Sequence, residues 1–231
     1  EISCSLVGSE MCIRDSMSSA LIILAIAFVM IFVAYPKYKF FVVLAGLGAG
    51  GVAALYNWLL GIAHQGMTEN FRMNRLLMWI QPENYSSGIG YQTVQGLYAI
   101  GSGGLFGKGL GKSLQKLGFI PESQNDMIFS IICEELGLFG AMCIILVFAL
   151  MLWRIIHIAQ NAPDLFGTML AAGVFAHVAV QVVLNIAVVT NFIPNTGVSL
   201  PFISYGGTAS FFLLLEMGIV LNISSKIRLE R

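Results

Sequence analysis

The placement of charged residues constrains this chain more than any other feature. No Asp, Glu, Lys or Arg occurs in residues 40–68, 136–153 or 165–215. A transmembrane helix needs about 20 mainly apolar residues, so the last stretch is long enough for two crossings. Charged residues make up 10% of the chain, well below the roughly 25% of an ordinary soluble domain. The sequence therefore predicts an all-α integral membrane protein.

Five apolar segments are predicted to cross the membrane, and a large polar loop separates the second from the third. The predicted spans are 17–35, 40–60, 127–153, 165–190 and 202–224. The loop, 61–125, is too long to be an idle connection, since structureless loops beyond about 15 residues are uncommon. Residues 1–16 show neither a signal-peptide nor a helix pattern. They look like translated adapter sequence, with a genuine polar tail as the alternative, and we exclude them from the fold.

Basic residues near the ends of the spans predict the orientation. Lys37, Lys39, Arg154 and the tail residues Lys226, Arg228 and Arg231 fall on one side. The positive-inside rule makes that side cytoplasmic. The large loop then lies outside the cell, and its five basic residues carry little weight because long loops count little in this rule. The equal numbers of basic and acidic residues, 12 of each, leave no basic excess of the kind that nucleic-acid binding requires.

Carboxylates beside or within an apolar span are the main candidates for chemistry. Asp126 directly precedes the third span, where it could cap the helix N-terminus or act as a base for a hydroxyl. Glu134 and Glu135 lie about two turns further on, and a carboxylate within a span usually faces a protein interior or a water-filled cavity. They either line a cavity shared with Asp126 or are satisfied structurally. Glu216 is a similar case, and His177 is interpreted as a packing residue.

The glycine-rich run AIGSGGLFGKGLGKS does not match a nucleotide-binding loop, because Phe106 stands where either fingerprint needs glycine. Its amides and its three lysines, Lys108, Lys112 and Lys116, favour either a cradle for another phosphate or simple tight turns. Residues 194–207 combine two prolines and three glycines with hydroxyls and amides. Non-helical backbone at membrane depth survives where it is buried or lines a cavity, so this segment is predicted to face the same cavity. The four cysteines suggest neither a zinc site nor a disulfide framework.

Three motifs in this order resemble a known family. They are GYQTVQGLYAIGSGGLFGKGLGKSLQKLGFIPESQNDMIFSIICEELG, APDLFGTMLAAG and NIAVVTNFIPNTGVSLPFISYGG. Together they resemble the shape, elongation, division and sporulation family of bacteria, which contains RodA, FtsW and SpoVE. The resemblance extends from about Met17 to the C-terminus. It implies the C-terminal half of a ten-helix fold, without about five preceding helices, so we expect this fragment alone to be inactive.

The resemblance implies a peptidoglycan glycosyltransferase of the bacterial cytoplasmic membrane, which polymerises lipid II for elongation, division or sporulation. It implies that Asp126 is the catalytic carboxylate and that a class B penicillin-binding protein is the partner. Other residues at family motif positions are Lys116, Glu122, Ser204, Tyr205, Gly206 and Gly207. One departure is Asn125-Asp126-Met127, where the family commonly has Thr-Asp-Phe.

In this interpretation Asp126 deprotonates an acceptor hydroxyl, which displaces a polyprenyl pyrophosphate. Arg72, Arg75 and Lys116 would offset the leaving group's negative charge. A divalent cation is a further candidate for that task, although no ligand cluster in the sequence indicates one. Two alternatives are a flippase for lipid-linked precursors, which would also use intramembrane carboxylates and broken helices, and a non-catalytic scaffold for a penicillin-binding protein.

Overall fold

The structure is a computed structural model. It describes residues 22–34, single positions between 43 and 61, residues 79, 80 and 82, then 90–117, 120 and 123–227. Within these ranges the chain is helical and contains no strand, which confirms the predicted all-α class. The helices with described bounds are α1 (Ile22–Ala34), α2 (Tyr91–Gly103), α3 (Ile128–Gln160), α4 (Leu165–Val189) and α5 (Gly207–Ser225), and Gln115–Leu117 form a 3₁₀ turn.

Three of these helices, α3, α4 and α5, are long and apolar enough to cross a membrane. They coincide with the last three predicted spans. Helix α3 runs on to Gln160, seven residues beyond its predicted end at 153. Helix α5 begins at Gly207 rather than at 202, because residues 201–205 form turns that bond to another loop. The described positions between 43 and 61 are helical. In the predicted loop 61–125, most of residues 61–90 lie outside the described residues.

Helix α3 is the element on which the others assemble. It packs chiefly against α4 and α2, while α5 packs against α4 and, less extensively, α3. The shared core consists of small and β-branched side chains such as Ala171 and Val178 of α4, Ile155 of α3 and Val220 of α5. Small residues let helix backbones approach closely in lipid, where van der Waals packing drives association. The outer faces of α3 and α5 expose large apolar side chains, including Phe139 and Leu214.

Helix α3 is broken at Gly137, whose φ of 69° and ψ of −168° are not helical. In a continuous helix the amides of Leu138 and Phe139 would donate to the carbonyls of Glu134 and Glu135. Here the glycine-rich loop satisfies all four groups instead. Leu138 and Phe139 donate to the carbonyls of Gly104 (2.9 Å) and Leu105 (3.1 Å), while Lys108 and Gly109 donate to those of Glu134 and Glu135 (both 2.9 Å).

Two glycines make this close contact between loop and helix possible. A Cβ on Gly137 would lie 2.6 Å from the carbonyl oxygen of Leu105 and would collide with the amide of Gly107. A Cβ on Gly107 would collide with the carbonyl of Glu135. Both residues also have positive φ, which disfavours residues with a Cβ. The loop glycines therefore serve backbone pairing, and the amides of Lys108 and Gly109 are not free to cradle a phosphate.

Candidate active site

Asp126 lies in the turn that leads into α3, and its carboxylate faces α2. The Nε2 of Gln92, in the first turn of α2, is 3.1 Å from Oδ1 and 3.3 Å from Oδ2 of Asp126. Met127, and not Asp126, occupies the N-cap position of α3. The sequence alternative in which Asp126 is the N-cap residue is therefore wrong. The half-buried carboxylate is instead held at the side of α2.

The backbone of Asp126 is fixed from a second direction by Asn185 of α4. The side chain of Asn185 is fully buried, and its Nδ2 donates to the carbonyl oxygens of Asp126 and Val198, each at 2.8 Å. Buried polar groups are costly unless they are hydrogen bonded. One amide therefore ties together α4, the turn at Asp126 and the segment that follows α4.

That segment, residues 190–206, docks onto the turn through residues that the sequence had singled out. The Ser204 hydroxyl donates to the carbonyl of Asn125 (2.6 Å) and accepts from the Leu200 amide (2.7 Å). The Tyr205 amide donates to the carbonyl of Gln124 (2.9 Å). The structure thus brings Ser204 and Tyr205 to the neighbours of Asp126, as expected for one shared cavity.

A pocket of about 390 Å³ opens at this junction. Its lining residues are Ile120, Ser123, Gln124, Asn125 and Tyr205. The ring of Tyr205 is well exposed beside it. Gly206 and Gly207 are not among the lining residues. Gly206 is the N-cap residue of α5, and Gly207 is its first residue. Gln124 and Asn125 of this lining directly precede Asp126 in the chain, whereas Asp126 itself is not among the lining residues.

Glu134 and Glu135 lie away from this pocket, in an ion-pair network at the break in α3. The Glu134 side chain is 0% exposed, and its Oε1 is 2.7 Å from Nζ of Lys108. Its Oε2 accepts a short hydrogen bond from the Ser113 hydroxyl. Oε1 of Glu135 is 2.7 Å from Nζ of Lys116. These contacts favour the alternative in which both carboxylates are satisfied structurally and do not line the cavity. The ammonium group of Lys116, a predicted ligand contact, is paired with Glu135.

The remaining predicted residues fall into two groups. Arg72, Arg75 and Glu122 lie outside the described residues, so their roles stay predictions. Glu216 of α5 lies with both carboxylate oxygens 2.9 Å from Nδ1 of His177, whose Nε2 is 3.0 Å from Nε2 of Gln181. This pair bridges α4 and α5. Among the described residues, no three His, Cys, Asp or Glu side chains converge as a metal site.

Sequence reasoning missed Gln92 and Asn185. Asn185 carried a readable signal, since it is an amide within an uncharged apolar span and such residues usually have a specific partner. Gln92 carried a weaker one. Its partner is 34 residues away, and no local pattern indicates such a contact.

The fold and the site define a polytopic helical membrane protein that holds a carboxylate beside a pocket at one end of its spans. The sequence profile of the family described as cell cycle protein (FTSW_RODA_SPOVE) matches residues 2–229. The chain belongs to this FtsW, RodA and SpoVE family, which confirms the resemblance drawn from its motifs.

Individual relatives agree. Stage V sporulation protein E of Bacillus subtilis (strain 168) is 42% identical over 214 residues, which cover 93% of this chain and 56% of that protein. A probable peptidoglycan glycosyltransferase FtsW of Trichlorobacter lovleyi is 40% identical over 216 residues, covering 94% of this chain and 54% of that protein. The chain thus spans about half the length of these curated relatives.

The fold also matches a solved structure, described as structural coordination of polymerization and crosslinking by a peptidoglycan synthase complex. The TM-score is 0.65 at 23% identity, with 92% of this chain and 56% of that chain covered. At this identity the match concerns the fold, and it supports the helical membrane architecture.

Proposed function

We propose that the protein containing this chain polymerises the glycan strands of peptidoglycan from lipid II. The observation that carries the proposal is Asp126, whose carboxylate is bonded by Gln92 and whose backbone carbonyl is bonded by Asn185, next to residues that line a pocket. The names of the relatives support it, since several are called probable peptidoglycan glycosyltransferase. Because this chain spans about half of those relatives, the activity belongs to the longer protein.

Asp126 is the proposed base. Its carboxylate takes the proton of the acceptor sugar hydroxyl as that oxygen attacks the anomeric carbon of the donor. The new carbon–oxygen bond forms on one face of the sugar, and the bond to polyprenyl pyrophosphate breaks on the other. The pyrophosphate leaves with the electron pair, so the configuration inverts. A positioned carboxylate contributes typically 10²- to 10⁴-fold to such a step.

The leaving pyrophosphate requires positive charge. Lys108 and Lys116 are already paired with Glu134 and Glu135, so Lys112 is the lysine of this loop without a carboxylate partner in the described part of the chain. Arg72 and Arg75 remain candidates. A divalent cation that enters with the substrate would supply further positive charge for the leaving group. A chelator should then slow polymerisation reversibly, whereas activity that persists in the chelator would remove the cation.

We place the pocket on the outer side of the cytoplasmic membrane, with the C-terminus in the cytoplasm. Residues 190–206 dock on the turn at Asp126, which supports a location of both loops on the same side of the membrane. The basic residues near the ends of the spans support a cytoplasmic location for the opposite side. The proposed partner is a class B penicillin-binding protein, which would cross-link the strands made here. A fold shared with a structure described as a peptidoglycan synthase complex supports that partner.

The test is glycan polymerisation from purified lipid II by the full-length protein with its penicillin-binding partner. Asp126→Asn keeps the size of the side chain and removes the base, so polymer should fall at least 100-fold while folding and partner binding persist. Unchanged polymer would contradict the role of Asp126. Loss of lipid II translocation instead would favour the flippase, and retention of every activity would favour the scaffold.

A further inference from the structure

Gln92, which bonds the Asp126 carboxylate, belongs to α2, and α2 packs against α3. Gly96 of α2 lies one turn beyond Gln92, and a Cβ on it would be 3.6 Å from Sδ of Met127 and 3.9 Å from Cβ of Ser130. Val94 and Ala99 are buried on the same helix. The start of α3 therefore packs closely against α2, which leaves Gln92 little freedom to move relative to Asp126.

The Gln92 amide suits the task of orienting a base. Its Nε2 lies within hydrogen-bonding distance of both carboxylate oxygens, so it restricts rotation of the carboxylate about its Cβ–Cγ bond. A side-chain amide is neutral and does not ionise near neutral pH, so it orients the carboxylate without adding charge. Lys108 and Lys116 hold Glu134 and Glu135 by full ion pairs, which is the arrangement of a structural carboxylate.

We propose that Gln92 is a positioning residue, which holds the Asp126 carboxylate in the orientation that receives the acceptor proton. This inference rests on the proposed function, because it assigns Gln92 a role through Asp126. Misplacing a reacting group by about 1 Å can cost 10²-fold in rate. Gln92 itself does not touch the reacting atoms, so its loss should slow the chemical step and leave substrate binding unchanged.

Two substitutions separate the hydrogen bond from the size of the side chain. Gln92→Met keeps the length and removes the donor, and Gln92→Glu keeps the shape and places an acceptor against the carboxylate. Gln95→Met is the matched control. Gln95 is partly buried on the same helix, one turn from Gln92, and no hydrogen bond joins it to Asp126 among the described residues.

The measurement is the initial rate of lipid II polymerisation by the full-length protein with its partner, over a range of lipid II concentrations. We expect both Gln92 variants to lower kcat roughly 10- to 100-fold, with KM within about twofold and the melting temperature unchanged. Gln95→Met should leave kcat and KM within about twofold of the wild-type values.

Three outcomes would overturn the inference. They are a kcat within twofold of the wild-type value in both Gln92 variants, a loss expressed as a rise in KM, or a loss matched by Gln95→Met. If one variant does not fold, the other gives the same comparison. Asp126→Asn is measured in parallel. No polymer from the wild-type protein would refute the proposed function, and unchanged polymer from Asp126→Asn would refute the role of Asp126. An inactive Asp126→Asn with fully active Gln92 variants would refute only the role of Gln92.

Discussion

Nζ of Lys108 lies 2.7 Å from Oε1 of Glu134, whose side chain is completely shielded from solvent. The lysine belongs to the glycine-rich loop and the glutamate to the apolar helix α3, so the pair fixes the loop onto the helix beside its break. The neighbouring pair of Lys116 and Glu135 repeats this arrangement with a more exposed carboxylate.

Removal of one partner of this pair should destabilise the protein. Lys108→Met leaves a buried carboxylate without its cation, which costs roughly 1–3 kcal/mol of the free energy of unfolding. Lys116→Met, the control, should cost less because Glu135 is partly solvated. Unfolding in detergent can be followed by the reaction of buried Cys133 with a thiol-reactive dye, after the other cysteines are replaced by serine. Equal losses in the two variants would contradict this ranking. Adding Glu134→Gln to Lys108→Met should recover part of the stability.

Gly137→Ala should destabilise the protein by more than about 2 kcal/mol. The added Cβ meets the backbone of Gly107 and Leu105, and the left-handed φ adds roughly 1–2 kcal/mol of its own. Gly101→Ala is the matched control, because Gly101 is helical and has nothing within 4 Å of an added Cβ. The midpoint of thermal unfolding should fall for Gly137→Ala alone. An unchanged midpoint would mean that α3 can close into a continuous helix.

Asn185→Leu should weaken both stability and polymerisation. It removes the donor of two carbonyl groups, at Asp126 and Val198, at a cost of roughly 1–3 kcal/mol. It also removes one of the hydrogen-bonded links between the turn at Asp126 and residues 190–206. Asn222→Leu on the exposed side of α5 should change neither property. Full activity and stability of Asn185→Leu would show that Ser204 and Tyr205 hold the two loops together without it.

The proposed orientation predicts which cysteines react from outside the cell. In a full-length protein without native cysteines, Lys112→Cys should react with a membrane-impermeant maleimide in intact spheroplasts. Lys226→Cys, at the end of α5, should react only after permeabilisation. Both side chains are exposed, so accessibility to the reagent distinguishes the two faces. The opposite labelling pattern would invert the topology.

The parts of the fold that depend on composition could be predicted from the sequence, whereas those that depend on distant pairs could not. The predicted apolar spans cover most of α3, all of α4 and all but the last residue of α5, because an apolar helix in lipid needs only length and hydrophobicity. No sequence pattern indicates the break at Gly137, since the apolar pattern is the same for a whole helix and for two halves. The backbone groups at the break are hydrogen bonded by residues 104–109, about 30 positions earlier in the chain.

The candidate site divides in the same way. Asp126, Ser204 and Tyr205 were identified from their motifs, and the structure brings them to one junction. Glu134 and Glu135 were expected either to line a cavity with Asp126 or to be satisfied structurally. Lys108 and Lys116 belonged to a loop interpreted either as a phosphate cradle or as simple turns, and Lys116 was also a candidate for offsetting the leaving group's charge. The structure pairs these lysines with those glutamates. The glutamates and the lysines could each be singled out in the sequence, but their pairing depends on how the loop folds back on α3.

The break in α3 has a consequence for biogenesis. Until the glycine-rich loop is in place, the broken form of this span leaves four backbone groups without partners, and each unsatisfied group in lipid costs several kcal/mol. The span is therefore a poor candidate for release into the bilayer by itself. The residues that complete it are synthesised just before it, so they are already outside the ribosome when α3 emerges. The broken form of α3 thus depends on the glycine-rich loop, so the helix and the loop reach their final structure together.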